Sequence, residues 1–251
     1  MDVLGVKVSV TNPQEALRTI AHWIETRQKT YVCIAPVSTI VDCQSDAEYL
    51  QIINGAGMTT PDGMPLVWLG KLKGIKSLER TYGPDLMVAL CGLSQGKGYR
   101  HYFYGGTTKT NELLLTKLKE RFPQLIIAGA YAPPFLSMRD REEEHVLAAI
   151  NQAQPDILWV GLGSPKQDYW MANHRDKLDV PVMIGIGAAF DFIAGTKPQA
   201  PVWMRTSGLE WFFRFCCEPK RLWKRYLVGN PKFLYLLCRE ALSNKRKVSC
   251  S

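Results

Sequence analysis

The sequence predicts an α/β fold: a Rossmann-like, mostly parallel sheet with helices on both faces, followed by a basic helical C-terminal appendage. Three observations carry that prediction. The runs at 157–160 and 180–186 are short, apolar and followed by or ending in glycines, as strands buried on both faces are. The spacer between them, 167–178, is long enough for a crossover helix, and strand-like and helix-like segments alternate up to Gly195, which implies a doubly wound sheet. After Gly195 the texture changes: residues 201–251 hold nine aromatics interleaved with cations. A boundary is therefore expected near 198–201, dividing the chain into residues 1–198 and 199–251.

In order, residues 6–10 read as a first strand, and Asn12-Pro13 opens a helix whose apolar face is Ala16, Ile20, Trp23 and Ile24. Residues 31–35 read as a second strand, and 38–54 as one helix closed by Gly55. Thr59-Thr60-Pro61-Asp62-Gly63-Met64-Pro65 reads as a polar turn, 66–72 as a short helix, then a basic loop to Arg80. Thr81 to Asp85 starts another helix. The strand at 100–104 runs into Gly105-Gly106 and a helix to Phe122. A strand at 125–130, a Pro-rich loop at 131–135 and an acidic amphipathic helix at 138–152 lead to the central runs. Pro219 and Pro231 divide the tail into about three helical pieces.

The 251 residues, 46% apolar, suffice for one large α/β domain with an appendage. No run approaches the roughly 18 apolar residues of a membrane span, and the first nine residues lack the pattern of a secretory signal. Seven scattered cysteines form no C-x-x-C pair, which argues against a disulfide scaffold or zinc site and fits a reducing compartment. The net charge is +8, and residues 201–251, with eleven Lys/Arg against three Glu, carry all of it. An anionic partner for the tail follows: membrane, nucleic acid or phosphate.

Ligands of open α/β sheets bind at the carboxyl ends of the strands, where glycines admit a ligand to the backbone and helix N-termini attract phosphate. Here these positions hold Gly163, Ser164, Lys166 and Gln167, then Gly187, and Gly105 with Gly106. The chain has neither a Walker A sequence nor G-x-G-x-x-G, so a mononucleotide or sugar nucleotide is favoured over NAD or a P-loop triphosphate, and no cofactor is expected. Asp62 is either an ordinary Pro-Asp-Gly turn residue or a carboxylate placed to take a proton from a hydroxyl. Asp191 either orients a helix or accepts from a base or ribose. No Asp-x-Asp occurs and the four histidines lie in no metal-ligand spacing, so no metal is expected and a leaving diphosphate would need protein cations. Arg214, Arg221 and Arg225, at spacings of seven and four, share one helical face if Pro219 only kinks the tail. The alternative is that the tail is the packed last layer of the core with a solvated basic face.

These residues resemble the WecG/TagA/CpsF glycosyltransferases over about residues 3–239. The motifs are Pro61-Asp62-Gly63, Arg80-Thr81-Tyr82-Gly83-Pro84-Asp85-Leu86, Phe103-Tyr104-Gly105-Gly106, and Val160 through Asp168 with Gly161-Leu162-Gly163-Ser164-Pro165-Lys166-Gln167. Gly185-Ile186-Gly187-Ala188-Ala189-Phe190-Asp191, Gly208-Leu209-Glu210-Trp211 and residues 218–226 complete the set. The resemblance implies an inverting transferase moving an N-acetylmannosamine-type sugar from a UDP-sugar donor to a polyprenyl-diphosphate-linked GlcNAc acceptor. That places it in the cytoplasm, peripheral on the inner face of a bacterial membrane, in cell-surface polymer synthesis. It implies that Asp62 matches the family's base, Gln167 a pocket residue, and the tail arginines the cations at the diphosphate. Thr60, Arg80, Gly83 and Asp85 are expected to bind substrate with the glycine turns. Where the family usually has Asn, Pro36 stands here, so a polar contact to the sugar is missing or is supplied by Ser38 or Thr39. The expected partners are thus the two substrates and an anionic membrane surface, with no nucleic acid; homo-oligomerisation stays open. Two rival readings remain: a nucleic-acid-binding protein using the Arg/aromatic tail, and a soluble sugar-nucleotide enzyme whose tail is an oligomer interface.

Overall fold

The computed structural model describes residues 1–134 and 140–248. Its centre is a six-stranded, wholly parallel sheet. The strands are β3 (Thr30–Ala35), β4 (Met58–Pro61), β5 (Arg100–Gly105), β6 (Ile126–Tyr131), β7 (Ile157–Gly161) and β8 (Val182–Gly185), in the order β4-β3-β8-β7-β5-β6. A hairpin of β1 (Asp2–Val3) and β2 (Val6–Lys7) stands apart from it. Period-two alternation sorts the strand residues onto two cores. Val32, Ile34, Phe103, Trp159 and Ile184 pack under α1 (Pro13–Glu25), α5 (Gly83–Lys97), α6 (Thr108–Arg121) and α9 (Ala189–Ala194). Tyr31, Cys33, Tyr102, Leu158 and Met183 pack under α2 (Val37–Asp42), α3 (Ala47–Gly55), α7 (Asp140–Ala153) and α8 (Lys166–His174). The Rossmann-like reading therefore holds.

Local signals act as expected in several places. The Asn12 side chain accepts from the Glu15 amide and Pro13 opens α1, whose buried residues are Ala16, Ile20, Trp23 and Ile24. α5 closes on Gly98 at φ 71°, a left-handed position suited to glycine.

Three expectations are corrected. Of residues 6–10 only Val6–Lys7 form a strand, β2 of the hairpin, and none joins the six-stranded sheet: past Lys7 the chain runs along the edge of β4, where the Ser9 amide donates to the Thr59 carbonyl at 2.9 Å and the Thr59 amide to Ser9 Oγ at 3.0 Å. The polar turn at 59–65 begins as β4, paired to β3 from Met58 through Pro61. Its threonines hide the strand pattern, yet Thr59 is buried and its hydroxyl donates to the Ile53 carbonyl. The single helix at 38–54 is two, α2 and α3, because Asp46 caps the second through the Tyr49 amide. The crossover helix expected between the two central runs is Lys166–His174. The reading of 131–138 as a Pro-rich loop and helix start falls partly on residues 135–139, outside the described residues.

Residues 202–248 form α10 (Val202–Thr206), α11 (Glu210–Cys217), α12 (Pro219–Trp223), a π-helical turn (Lys224–Val228) and α13 (Gly229–Val248). Leu222, Tyr226, Phe233 and Leu236 are buried, and Phe233 joins the core beneath α2. The outer face leaves Trp203, Phe212, Trp223, Leu227, Leu234 and Tyr235 exposed. Among the described residues, no helix is long and apolar enough to cross a membrane.

Inside the sheet, His101 is fully buried in a directed chain of hydrogen bonds. Trp159 Nε1 donates to His101 Nδ1 at 2.9 Å, so the ring's proton sits on Nε2 and is given to Ser94 Oγ at 2.8 Å; that hydroxyl donates to the Leu90 carbonyl. Burial pushes the imidazole pKa from 6.5 down to about 3. The unfolded chain takes a proton there near pH 6.5 and the folded chain only near pH 3, so stability falls as pH drops through that window. From about pH 7.5 to about pH 5 the wild type should lose about 2 kcal/mol more unfolding free energy than His101→Phe, measured by urea denaturation. Equal losses would mean that the folded imidazole is protonated.

Candidate active site

The carboxyl ends of β3, β4, β7 and β8 open onto one groove with two compartments. The first is lined by Gly83 at the start of α5, Gly163, Ser164 and Gln167 after β7, and Gly187 after β8. The second is lined by Ser38, Met64, Trp211, Tyr226 and Asn230 and lies beneath the tail. Pro36, Asp62, Arg214 and Arg225 line both. Asp62 thus stands where the two compartments meet, directly after the edge strand β4, with its amide donating to the Ala35 carbonyl of β3 at 3.1 Å.

Arg80 holds Asp62 there. Its Nε donates to the Asp62 carbonyl, one terminal nitrogen to Asp62 Oδ1 at 3.3 Å and to Glu210 Oε2 at 2.6 Å, and the other to the Arg205 carbonyl at 3.1 Å. The guanidinium stacks on Tyr82 at 4.4 Å. Tyr82 donates its hydroxyl proton to Glu210 Oε1 at 3.1 Å and accepts from Gln199 at 3.2 Å. Burial pulls the Arg80 pKa down, but the carboxylates of Asp62 and Glu210 outweigh it and the net direction is up. Burial, then Glu210, pushes the Tyr82 hydroxyl up, so it remains a donor. The tail is therefore tied to the base of the groove by a charged network, fixed by arginine's planar fork.

Gln167 ties the two glycine turns together. It is 2% exposed, and its Oε1 accepts from the amides of Gly163 at 3.1 Å and Gly187 at 2.9 Å while Nε2 donates to Ser164 Oγ at 3.2 Å. A Cβ on Gly185 would lie 2.9 Å from that Nε2, so the strand must end in glycine for the amide to fit. These two turn amides are engaged by protein rather than left free for a phosphate. Asp168, beside it, is buried and accepts from the Tyr49 hydroxyl at 2.8 Å, which fixes α8 against α3; burial raises its carboxyl pKa against the Tyr49 hydrogen bond.

The cations come from the tail. Arg214, Arg221 and Arg225 all line the first compartment. They do not share one helical face: Glu218 at φ −135°, ψ 58° ends α11, and Pro219 starts a new helix instead of kinking the old one. Arg214 lies on α11, Arg221 on α12 and Arg225 in the π turn, and it is this broken path that brings them together. Arg221 is held by Glu218, whereas among the described residues Arg214 and Arg225 have no ion-pair partner. Burial, then repulsion from Arg214 and Arg221, holds the Arg225 guanidinium below the ordinary arginine value despite Tyr226 and Asp62. Two unpaired, half-buried cations in a groove form a site for an anion.

The other expected site residues scatter. Thr39 and Thr60 are buried and line neither compartment. Asp85 lies outside the groove, 3.2 Å from Arg205. Gly105 and Gly106 serve packing: a Cβ on Gly105 would sit 2.5 Å from the Gly161 backbone. Lys166 is exposed and lines neither compartment. Asp191 pairs with Lys197 at 3.2 Å and accepts from Thr196 Oγ1. Glu210, Tyr82 and Arg205 were assigned no role from the sequence, although Tyr82 and Glu210 lie in motifs that carry the family resemblance and Glu210 is one of three carboxylates in a basic tail. Among the described residues, no group of three or more His, Cys, Asp or Glu could hold a metal ion.

Comparisons with known proteins agree on one group. A family model described as the glycosyl transferase WecG/TagA/CpsF family matches residues 1–247. An N-acetylglucosaminyldiphosphoundecaprenol N-acetyl-beta-D-mannosaminyltransferase of Bacillus subtilis (strain 168) is 30% identical over 200 residues, covering 80% of this chain and 75% of that protein. A protein of the same name from Staphylococcus aureus (strain MRSA252) is 25% identical over 250 residues, 99% of this chain and 94% of that one.

The network predicts a stability cost. Glu210→Ala leaves Arg80 and Tyr82 without their shared acceptor and should cost about 2–4 kcal/mol in urea denaturation, with faster proteolysis within residues 199–218; Glu210→Gln, which keeps an acceptor, should cost less. Losses below about 0.5 kcal/mol in both would place the pair among ordinary surface ion pairs.

Proposed function

The chain belongs to the WecG/TagA/CpsF family of glycosyl transferases, and we propose that it moves an N-acetylmannosamine-type sugar from a UDP-sugar to a GlcNAc-diphospho-polyprenol lipid, with inversion. The names of the relatives support this donor sugar and acceptor. The observation that carries the mechanism is the position of Asp62 at the meeting point of the two compartments, both of which Arg214 and Arg225 also line. The nucleotide-sugar takes the compartment between the glycine turns, and the acceptor takes the one beneath the tail. Asp62 accepts the proton of the acceptor hydroxyl. That oxygen bonds to the anomeric carbon on the face opposite the diphosphate, and the bond from that carbon to the diphosphate oxygen breaks, its electrons leaving with UDP. Arg214, Arg221 and Arg225 offset the developing charge in a groove where cations already repel one another. Ser38, two residues after Pro36, lines the acceptor side with it.

On this reading residues 1–198 bind the donor, and residues 199–251 complete the site and hold the chain against an anionic bilayer, on the inner face of the membrane. The exposed aromatic and aliphatic side chains among cations on the tail's outer face support that docking. The acceptor's lipid stays in the membrane while its diphosphate sugar reaches Asp62. The product feeds cell-surface polymer synthesis.

Asp62→Asn keeps the acceptor for Arg80 and removes the base. Release of UDP in the presence of a lipid-diphosphate-GlcNAc analogue should fall by roughly 10²- to 10⁴-fold with little change in UDP-sugar binding. Wild-type turnover would return Asp62 to a turn role. Because arginines neutralise the leaving group, turnover should also persist in EDTA; abolition by EDTA with rescue by Mg²⁺ or Mn²⁺ would overturn that assignment of charge.

A further inference from the structure

We propose that α4 (Met64–Leu72), which belongs to the sheet-bearing part of the chain and not to the tail, is a second membrane-contact element that seats the mouth of the groove on an anionic bilayer. The proposal rests on the reading above that the acceptor is lipid-linked.

α4 begins inside the site: Met64 and Pro65 line the compartment beneath the tail. It then runs outward for nine residues, a rise of about 12 Å. One face of it, Leu66, Val67 and Gly70, is buried. The opposite face does not cover itself: Trp68 is 48% exposed and Leu72, one turn on, 86%. Residues 64–78 contain Lys71, Lys73 and Lys76 and no carboxylate, a local charge of +3 within a 200-residue stretch that is neutral as a whole. All three lysines are exposed. A tryptophan and a leucine beside exposed lysines, of which Lys73 also donates to the Asp2 carbonyl at 2.9 Å, match the interfacial layer of a membrane, where rings and aliphatic chains lie among headgroups and cations meet anionic phosphates.

The face is also continuous with the tail. A Cβ on Gly208 would approach the Trp68 ring to 2.9 Å, so the backbone between α10 and α11 lies on that indole. Across a cleft lined by Met64, Val67 and Lys71 on one side and Val202, Arg205 and Thr206 on the other, α10 presents Val202 and Trp203, both more than 60% exposed. The exposed apolar groups of α4 and α10 therefore flank one cleft beside the mouth. A bilayer contacting both would meet the protein at the point where a lipid-linked diphosphate must enter. The basic charge favours this occupant over an apolar protein partner.

The test uses the full-length chain. Lys71→Gln, Leu72→Asn and Lys76→Gln are combined; all three residues are exposed and none belongs to the catalytic machinery. Flotation is measured with vesicles of phosphatidylcholine and phosphatidylglycerol in equal parts, and with phosphatidylcholine alone. The triple variant should partition about 10- to 100-fold more weakly onto the anionic vesicles, since each cation near an anionic leaflet counts for several-fold. Its thermal unfolding and its turnover on a short-chain, water-soluble acceptor should match wild type, while turnover on vesicle-embedded acceptor falls. Brominated lipid should quench less fluorescence in Trp68→Phe than in wild type. Wild-type flotation of the triple variant overturns the proposal, as does a change in its oligomeric state without loss of flotation, which would make the face an interface between copies of the chain. A separate full-length variant, Lys224→Gln with Leu234→Asn and Leu242→Asn, probes the tail: if it floats like wild type and the α4 variant does not, the tail reading fails and this one stands. If wild type does not use the short-chain acceptor, the functional reading fails, and flotation alone decides the role of α4.

Discussion

The guanidinium of Arg80 is the junction on which the site depends. One side chain reaches the Asp62 carbonyl and carboxylate, the Glu210 carboxylate and the Arg205 carbonyl, and lies flat on Tyr82. Lysine could supply the charge but not the fork. Because the contacts join the end of an edge strand to two tail helices, the position of Asp62 and the attachment of the tail are a single structural fact. The carboxylate that anchors Arg80 from the tail, Glu210, is among the few acids in that basic segment and is almost fully buried. An ion pair this enclosed is poor evidence of net stabilisation but a strong constraint on geometry.

Gln167 plays the matching part on the other wall. It uses a neutral amide to join the turns after β7 and β8. Arg80 and Gln167 together leave Arg214 and Arg225 as the unneutralised charges in the groove. A site with fixed walls and mutually repelling cations gains most from a ligand that brings compact negative charge, and a diphosphate has that character.

The strands of the sheet were legible where both faces are buried, because β3, β7 and β8 then read as unbroken apolar runs. β4 was not, since its threonines and proline mimic a loop and its strand character comes from pairing with β3. The break between α2 and α3 rests on a single cap, Asp46, that a periodicity argument passes over. Within the site, the residues at strand ends could be found because strand ends are where open sheets bind ligands; of these, Asp62, Gln167, Gly163 and Gly187 line the groove. Lys166 and Asp191 shared the same motifs but line neither compartment, Asp191 pairing with Lys197, because spacing along a turn does not fix what a side chain meets. The convergence of the three arginines was expected from helical periodicity, yet it arises from a helix end, a proline start and a π turn. Glu210, though part of a family motif, was given no role because an acid in a basic, aromatic segment looks like a solvated partner until the fold encloses it.

The segment that runs beside β4 has one more consequence. An unprotected outer strand offers its backbone to any extended chain that passes, and here that strand ends in Asp62. Ser9 exchanges hydrogen bonds with Thr59 through its amide and hydroxyl, and the Glu79 amide reaches back to the Thr11 carbonyl. The first dozen residues thus act as a hem on the border of the sheet that leads into Asp62. Attachments for purification or surface immobilisation that tug on this hem would fray the border that positions this carboxylate, however far they lie from the groove in sequence.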